Sequence, residues 1–139
     1  MHGILKAAAA LGLSMAMTAP ARPEPGPHAV IRVAEELLRA YKEEDAGAFH
    51  RLLSSGLQAK YPVEGLRAIL ARCRALTYEI DRLSIPSWGA RNFGFFGVYA
   101  ELAVLEMILE IDDDEKIVHW VITDNVTAKR QECSVSKAE

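Results

Sequence analysis

Seven aromatic side chains are spaced so that they could line one apolar surface with a few polar tips: Tyr41, Phe49, Tyr61, Tyr78, Phe96, Tyr99 and Trp120. Such a surface, if concave, holds a small apolar ligand: the rings give contact area and the phenols orient the guest. Phe95 could add to it, and the same spacings also describe plain core. His119 and Trp120 are neighbours on a predicted strand and so face opposite ways. Trp120 is expected inside, with His119 exposed or at a rim.

Other chemistries lack the residues they need. Asp112, Asp113, Asp114 and Glu115 stand in one run. A calcium loop needs alternating oxygen ligands, a glycine and a distal glutamate, so a solvated turn is expected instead. His28, His50 and His119 are too scattered for a metal site. No serine-centred elbow or phosphate loop occurs, so no cofactor or metal is expected and no catalytic residue is assigned. Asn125-Val126-Thr127 is a glycosylation acceptor only in a eukaryotic secretory host. The formal net charge of −3 gives no electrostatic reason to seek nucleic acid. Arg67, Arg72 and Arg74 are read as a solvated helix face. The two cysteines, Cys73 and Cys133, could pair in an exported chain. A buried thiol and a free tail thiol fit the sequence equally well.

The elements that must position these residues follow from periodicity. Val30, Val33, Ala34, Leu37, Leu38 and Tyr41 form one apolar stripe, which predicts a helix over 28–42. Asp45 caps a second helix over 46–53, stopped by Ser54-Ser55-Gly56, and 57–61 reads as a connector. Pro62 opens a third helix with Leu66, Ile69, Leu70 and Cys73 inward. The period then changes to two. Strands are predicted over 77–85, with a slip near Arg82, and over 117–123. The apolar run 93–111 is too long for one ordinary strand and reads as two, changing between Ala100 and Ala103. Residues 86–92 form a loop and 112–116 a turn. Helices first and antiparallel strands afterwards give an α+β class, with the N-terminal helices in the concave face of a curved antiparallel sheet, cone-like.

The ends read differently. A short basic start and an apolar run over 7–17 precede Ala19-Pro20-Ala21, small residues of the kind a signal peptidase reads. Residues 1–21 are therefore expected to be a signal peptide, cleaved to leave a periplasmic or secreted chain with no stable membrane anchor. Residues 22–27 form a proline-rich leader, 28–126 the folded domain and 127–139 a polar, frayed tail.

The stretch AYKEEDAGAFHRLLSSGLQAKYP (40–62) is similar to the first half of nuclear-transport-factor-two-like domains, whose branches include SnoaL-like and ketosteroid-isomerase-like proteins. Their opening helix ends in Tyr or Phe before an acidic break, here Tyr41 and Glu44-Asp45-Ala46-Gly47, followed by Phe49 to Leu53. EIDDDEKIVHWVI (110–122) resembles their final hairpin, with Glu115 where a glycine is usual. Short secreted bacterial members without an established function are also similar.

The resemblance implies a cone that holds a small molecule. In the isomerase branch Tyr41 would be an oxyanion donor, and the base an aspartate before a proline. Here Tyr61 stands before Pro62, and a phenol with an unperturbed pKa of about 10 cannot replace a carboxylate. Asp81 or Glu101 would have to serve. The superfamily also dimerises through the open sheet face, and 100–111 carries apolar residues on both faces with Glu101, Glu106 and Glu110 interspersed. A C-terminal segment folding back over that face is the alternative cover. The expectation is a non-catalytic domain that binds a small apolar ligand or forms a homodimer, with an isomerase or cyclase-like enzyme as the alternative.

Overall fold

In a computed structural model that describes Pro20, 26–86, 88–124 and 133–137, the helical period gives way to the strand period just after Thr77. The expected signal peptide and most of the leader lie outside the described residues. Helix α1 (Pro27–Lys42) opens on a proline, whose missing N–H costs nothing in a first turn. Its predicted stripe is its buried face: Val30, Val33, Ala34, Leu37 and Tyr41 are all at most 5% exposed. Helix α2 (Ala46–Leu52) is capped by Asp45, whose Oδ1 accepts from the Ala48 N–H at 2.8 Å.

The expected connector is a short helix, α3 (Ser55–Lys60). Ser54, expected to stop α2, starts α3 instead, its hydroxyl accepting from the Leu57 N–H at 3.4 Å. Helix α4 (Val63–Thr77) follows Pro62 and buries Leu66, Ile69, Leu70, Cys73 and Thr77.

Six strands follow: β1 (Ile80–Leu83), β2 (Trp88–Ala90), β3 (Phe93–Ala100), β4 (Val104–Ile111), β5 (Ile117–Thr123) and β6 (Cys133–Ser136). They form one antiparallel sheet in the order β1-β3-β4-β5-β6, with β2 also paired to β3. The fold is α+β, with the helices packed against one side of the sheet. The long apolar run divides at Ala100–Val104 as its length requires. The slip near Arg82 is a register shift between Ile80 and Arg82. The loop expected around Trp88 contains the three-residue β2.

Register decides which residues face the helices. Phe96 pairs with Met107, Met107 with Ile122, and Ile122 with Cys133, and all four are at most 1% exposed. Removing a side chain of this size from water stabilises by roughly 1.5–3 kcal/mol each, so this inner row is a main source of cohesion. The intervening residues form the outer face. Phe95, Ile108, Val121 and Ser134 make one row, and Phe93, Glu110, His119 and Ser136 another.

The polar tail expected from residue 127 onward is corrected over its described part. Residues 133–136 are strand β6 at the edge of the sheet, with Cys133 and Val135 fully buried. The physical reason is covalent: Cys133 is bonded to Cys73 of α4, their Cα atoms 4.8 Å apart. That pairing answers the question the sequence left open.

Candidate functional site

The seven aromatics do not line one surface. Tyr41, Phe49, Phe96 and Trp120 are all at most 1% exposed and belong to one core cluster. Phe49 and Trp120 pack edge to face at 5.0 Å, and Tyr41 meets Trp120 at 6.2 Å. Where a guest was expected between helices and sheet, these rings fill the space with each other. Trp120 Nε1 is buried without a hydrogen-bond partner. As expected, Trp120 faces inward and His119 lies half-buried on the outer face.

Tyr41 is fixed by a short relay. The Thr77 hydroxyl donates to the Tyr78 carbonyl at 3.0 Å, which leaves its oxygen to accept from the Tyr41 hydroxyl at 2.8 Å. Burial raises the Tyr41 pKa above its usual value, while the Thr77 bond and the Arg74 guanidinium pull the other way. The two proposed bases do not serve this hydroxyl: the Asp81 side chain is 82% exposed on β1, and Glu101 is exposed beyond β3.

The remaining three aromatics are elsewhere. Tyr61 is half-buried, its hydroxyl donating to the Ser136 carbonyl at 3.3 Å, with Lys60 over its ring. Tyr78, expected on a strand facing inward, is corrected: it is the C-cap of α4, at φ 54, and is 53% exposed. A left-handed residue ends the helix there and turns the side chain to solvent. Tyr99 is on the outer face, with the Arg82 guanidinium 3.7 Å from its ring centre.

No protein-family model, curated protein or solved structure matches this chain. The surface must therefore be read on its own chemistry.

A cavity of 340 Å³ lies between the α1–α2 turn and α4, bordered by Glu44, Arg67 and Arg74. Arg74 is already engaged there, by Glu44 at 2.9 Å and Glu79 at 2.8 Å. A second groove of 290 Å³ runs between α1 and β1, and Phe96 borders it with Ile31, Leu38, Leu83 and Ile85. Near the end of α1, Lys42 Nζ donates to the Asp81 carbonyl of β1 at 3.3 Å. Among the described residues no group of three or more His, Cys, Asp or Glu could hold a metal.

What the fold does bring together is apolar and exposed. Ala100 N–H donates to the Ala103 carbonyl at 3.0 Å, closing the β3–β4 hairpin. Glu101 N–H donates to the Glu79 carbonyl at 2.8 Å, tying that hairpin to the chain leaving α4. Leu102 (70% exposed) and Val104 (63%) face solvent at this hairpin, and Tyr78 (53%) and Leu76 (38%) are exposed on the chain that leads into Glu79. Arg82 on Tyr99 and exposed Glu101 border them. The other side of the outer face is closed: Val121 is 2% and Thr123 5% exposed. Sequence reasoning placed the open surface along all of 100–111. It missed Leu76 and Tyr78, which a hairpin contact, not a local pattern, adds.

Proposed function

We propose that this chain is an exported, non-catalytic module that acts by self-association, with a second copy seated on the hairpin end of the sheet. The observation that carries the reading is the contrast between interior and surface. Tyr41 is packed in a filled core, whereas Leu102 and Val104 face solvent at the β3–β4 hairpin. Large aliphatic side chains exposed together on a small domain are a usual mark of an interface. The patch suits a copy of itself because its border carries both signs, Arg82 and Glu101. A two-fold can set each against its opposite.

Export is supported by the buried Cys73–Cys133 bridge, since structural disulfides persist in oxidising compartments. It is supported as well by the leader-like sequence of 1–21. No helix among the described residues is long and apolar enough to cross a membrane. Kinship with nuclear-transport-factor-two-like domains rests on the sequence likeness at 40–62 and 110–122 and on the order of helices before an antiparallel sheet.

Native mass spectrometry of the protein purified from its own host's envelope tests this reading. A ligand-free dimer supports it. A co-purified small apolar molecule would return the function to ligand binding, and a ligand-free monomer would remove self-association.

A further inference from the structure

The one covalent crosslink of the described residues stands at an edge of the sheet. Strand β6 is four residues long and pairs with β5 at four positions, from His119–Ser136 to Ile122–Cys133. Two of its side chains, Cys133 and Val135, enter the core. Beyond the ladder, the Ser136 carbonyl accepts from Lys60 Nζ at 2.9 Å and from the Tyr61 hydroxyl at 3.3 Å. A short terminal strand of Cys-Ser-Val-Ser has little apolar surface to hold it in place. The strand it covers is the opposite: Ile117–Thr123, β-branched and aromatic, with no Lys, Arg, Asp or Glu in it. Uncovered, such an edge is a template for pairing with other chains.

We infer that oxidation of Cys73 and Cys133 is the step that seats β6 and closes the β5 edge, so that the bridge is a redox latch. One thiolate attacks a disulfide-bearing oxidant, either a thiol–disulfide oxidoreductase or a small-molecule disulfide. A mixed disulfide forms and one oxidant thiol leaves. The second cysteine thiolate then displaces the other oxidant sulfur. The chain gives up two protons and two electrons, and the oxidant's S–S bond becomes two thiols. The latch is asymmetric. Both sulfurs belong to residues that are 0% exposed once β6 is seated. A reducing thiolate needs direct access to a sulfur, so reduction waits for β6 to open. Closing therefore proceeds on the open form, and reopening is rare. The inference does not depend on self-association at the hairpin end.

The test uses the full oxidised chain. Thiols released by dithiothreitol are counted in buffer and in sub-denaturing urea. Amide exchange is then followed by mass spectrometry in the oxidised and reduced forms. Release should be slow in buffer and at least about tenfold faster in urea. In the reduced chain, exchange over 117–123 and 133–136 should rise on the order of a hundredfold while 93–111 stays protected. Rapid reduction in buffer overturns the latch, as does unchanged exchange at β5 and β6. An equal rise across β3 and β4 also overturns it, because the bridge would then staple the whole domain. A Cys73→Ala/Cys133→Ala chain repeats the exchange measurement without thiol chemistry. Should that chain fail to fold, the reduced wild-type exchange decides alone.

Discussion

Tyr41 is a structural residue, and its hydroxyl shows why. It donates to Thr77, which donates in turn to the carbonyl of Tyr78, the left-handed residue that ends α4. Tyr41→Phe removes the first donor and leaves the Thr77 oxygen short of a partner. We expect a loss of about 1–3 kcal/mol in urea unfolding, the usual cost of breaking a buried hydrogen bond, with no change in association state. The same residue sets an alkaline limit. Its pKa is raised in the fold from a usual value of 10.0, so its contribution is fully present below pH 10 and is lost as pH rises through the folded value. Stability measured across that range should fall less steeply in Tyr41→Phe. The sequence showed a tyrosine at a helix end. It could not show that Trp120 occupies the space beside it, because Trp120 stands 79 positions later in the chain and is brought there only by the fold.

At the scale of elements, short-range patterns were legible and long-range ones were not. The apolar stripe of α1, the Asp45 cap and the alternation of β4 are all local. Each follows from the neighbours that the residue has in sequence. The β6 strand was hidden because two of its four residues are serines, and its place is set by Cys73, 60 positions earlier. Replacing both cysteines with alanine should release β6 locally, so that amide exchange over 133–136 rises on the order of a hundredfold while the urea midpoint followed on β3 and β4 stays close to that of the oxidised chain. Packing of α1 on the sheet has its own test. A Cβ on Gly94 would lie 2.5 Å from a Phe96 ring carbon and 2.8 Å from Val30 Cγ1. Gly94→Ala should therefore cost about 1–3 kcal/mol, as overpacking does, again measured by urea unfolding.

For the whole molecule, the described helices pack on one side of a six-stranded sheet and leave its outer side to the strands alone. That side is uneven. It is closed at Val121 and Thr123 and open at the β3–β4 hairpin, where Leu102 and Val104 face water. Apolar residues on both faces of 100–111 were visible in the sequence and correctly pointed to a sheet with two apolar sides. Which end stayed open was not visible, because it depends on the bond between Glu101 and Glu79. The exposed end, not the interior, is where a partner would act. The most direct test is sedimentation velocity of the oxidised protein over a range of concentrations, beside a Leu102→Asp/Val104→Asp variant. A concentration-dependent dimer that the variant reduces to folded monomer is expected. A wild-type monomer at every concentration, or a dimer that the variant leaves intact, would contradict self-association through the hairpin end.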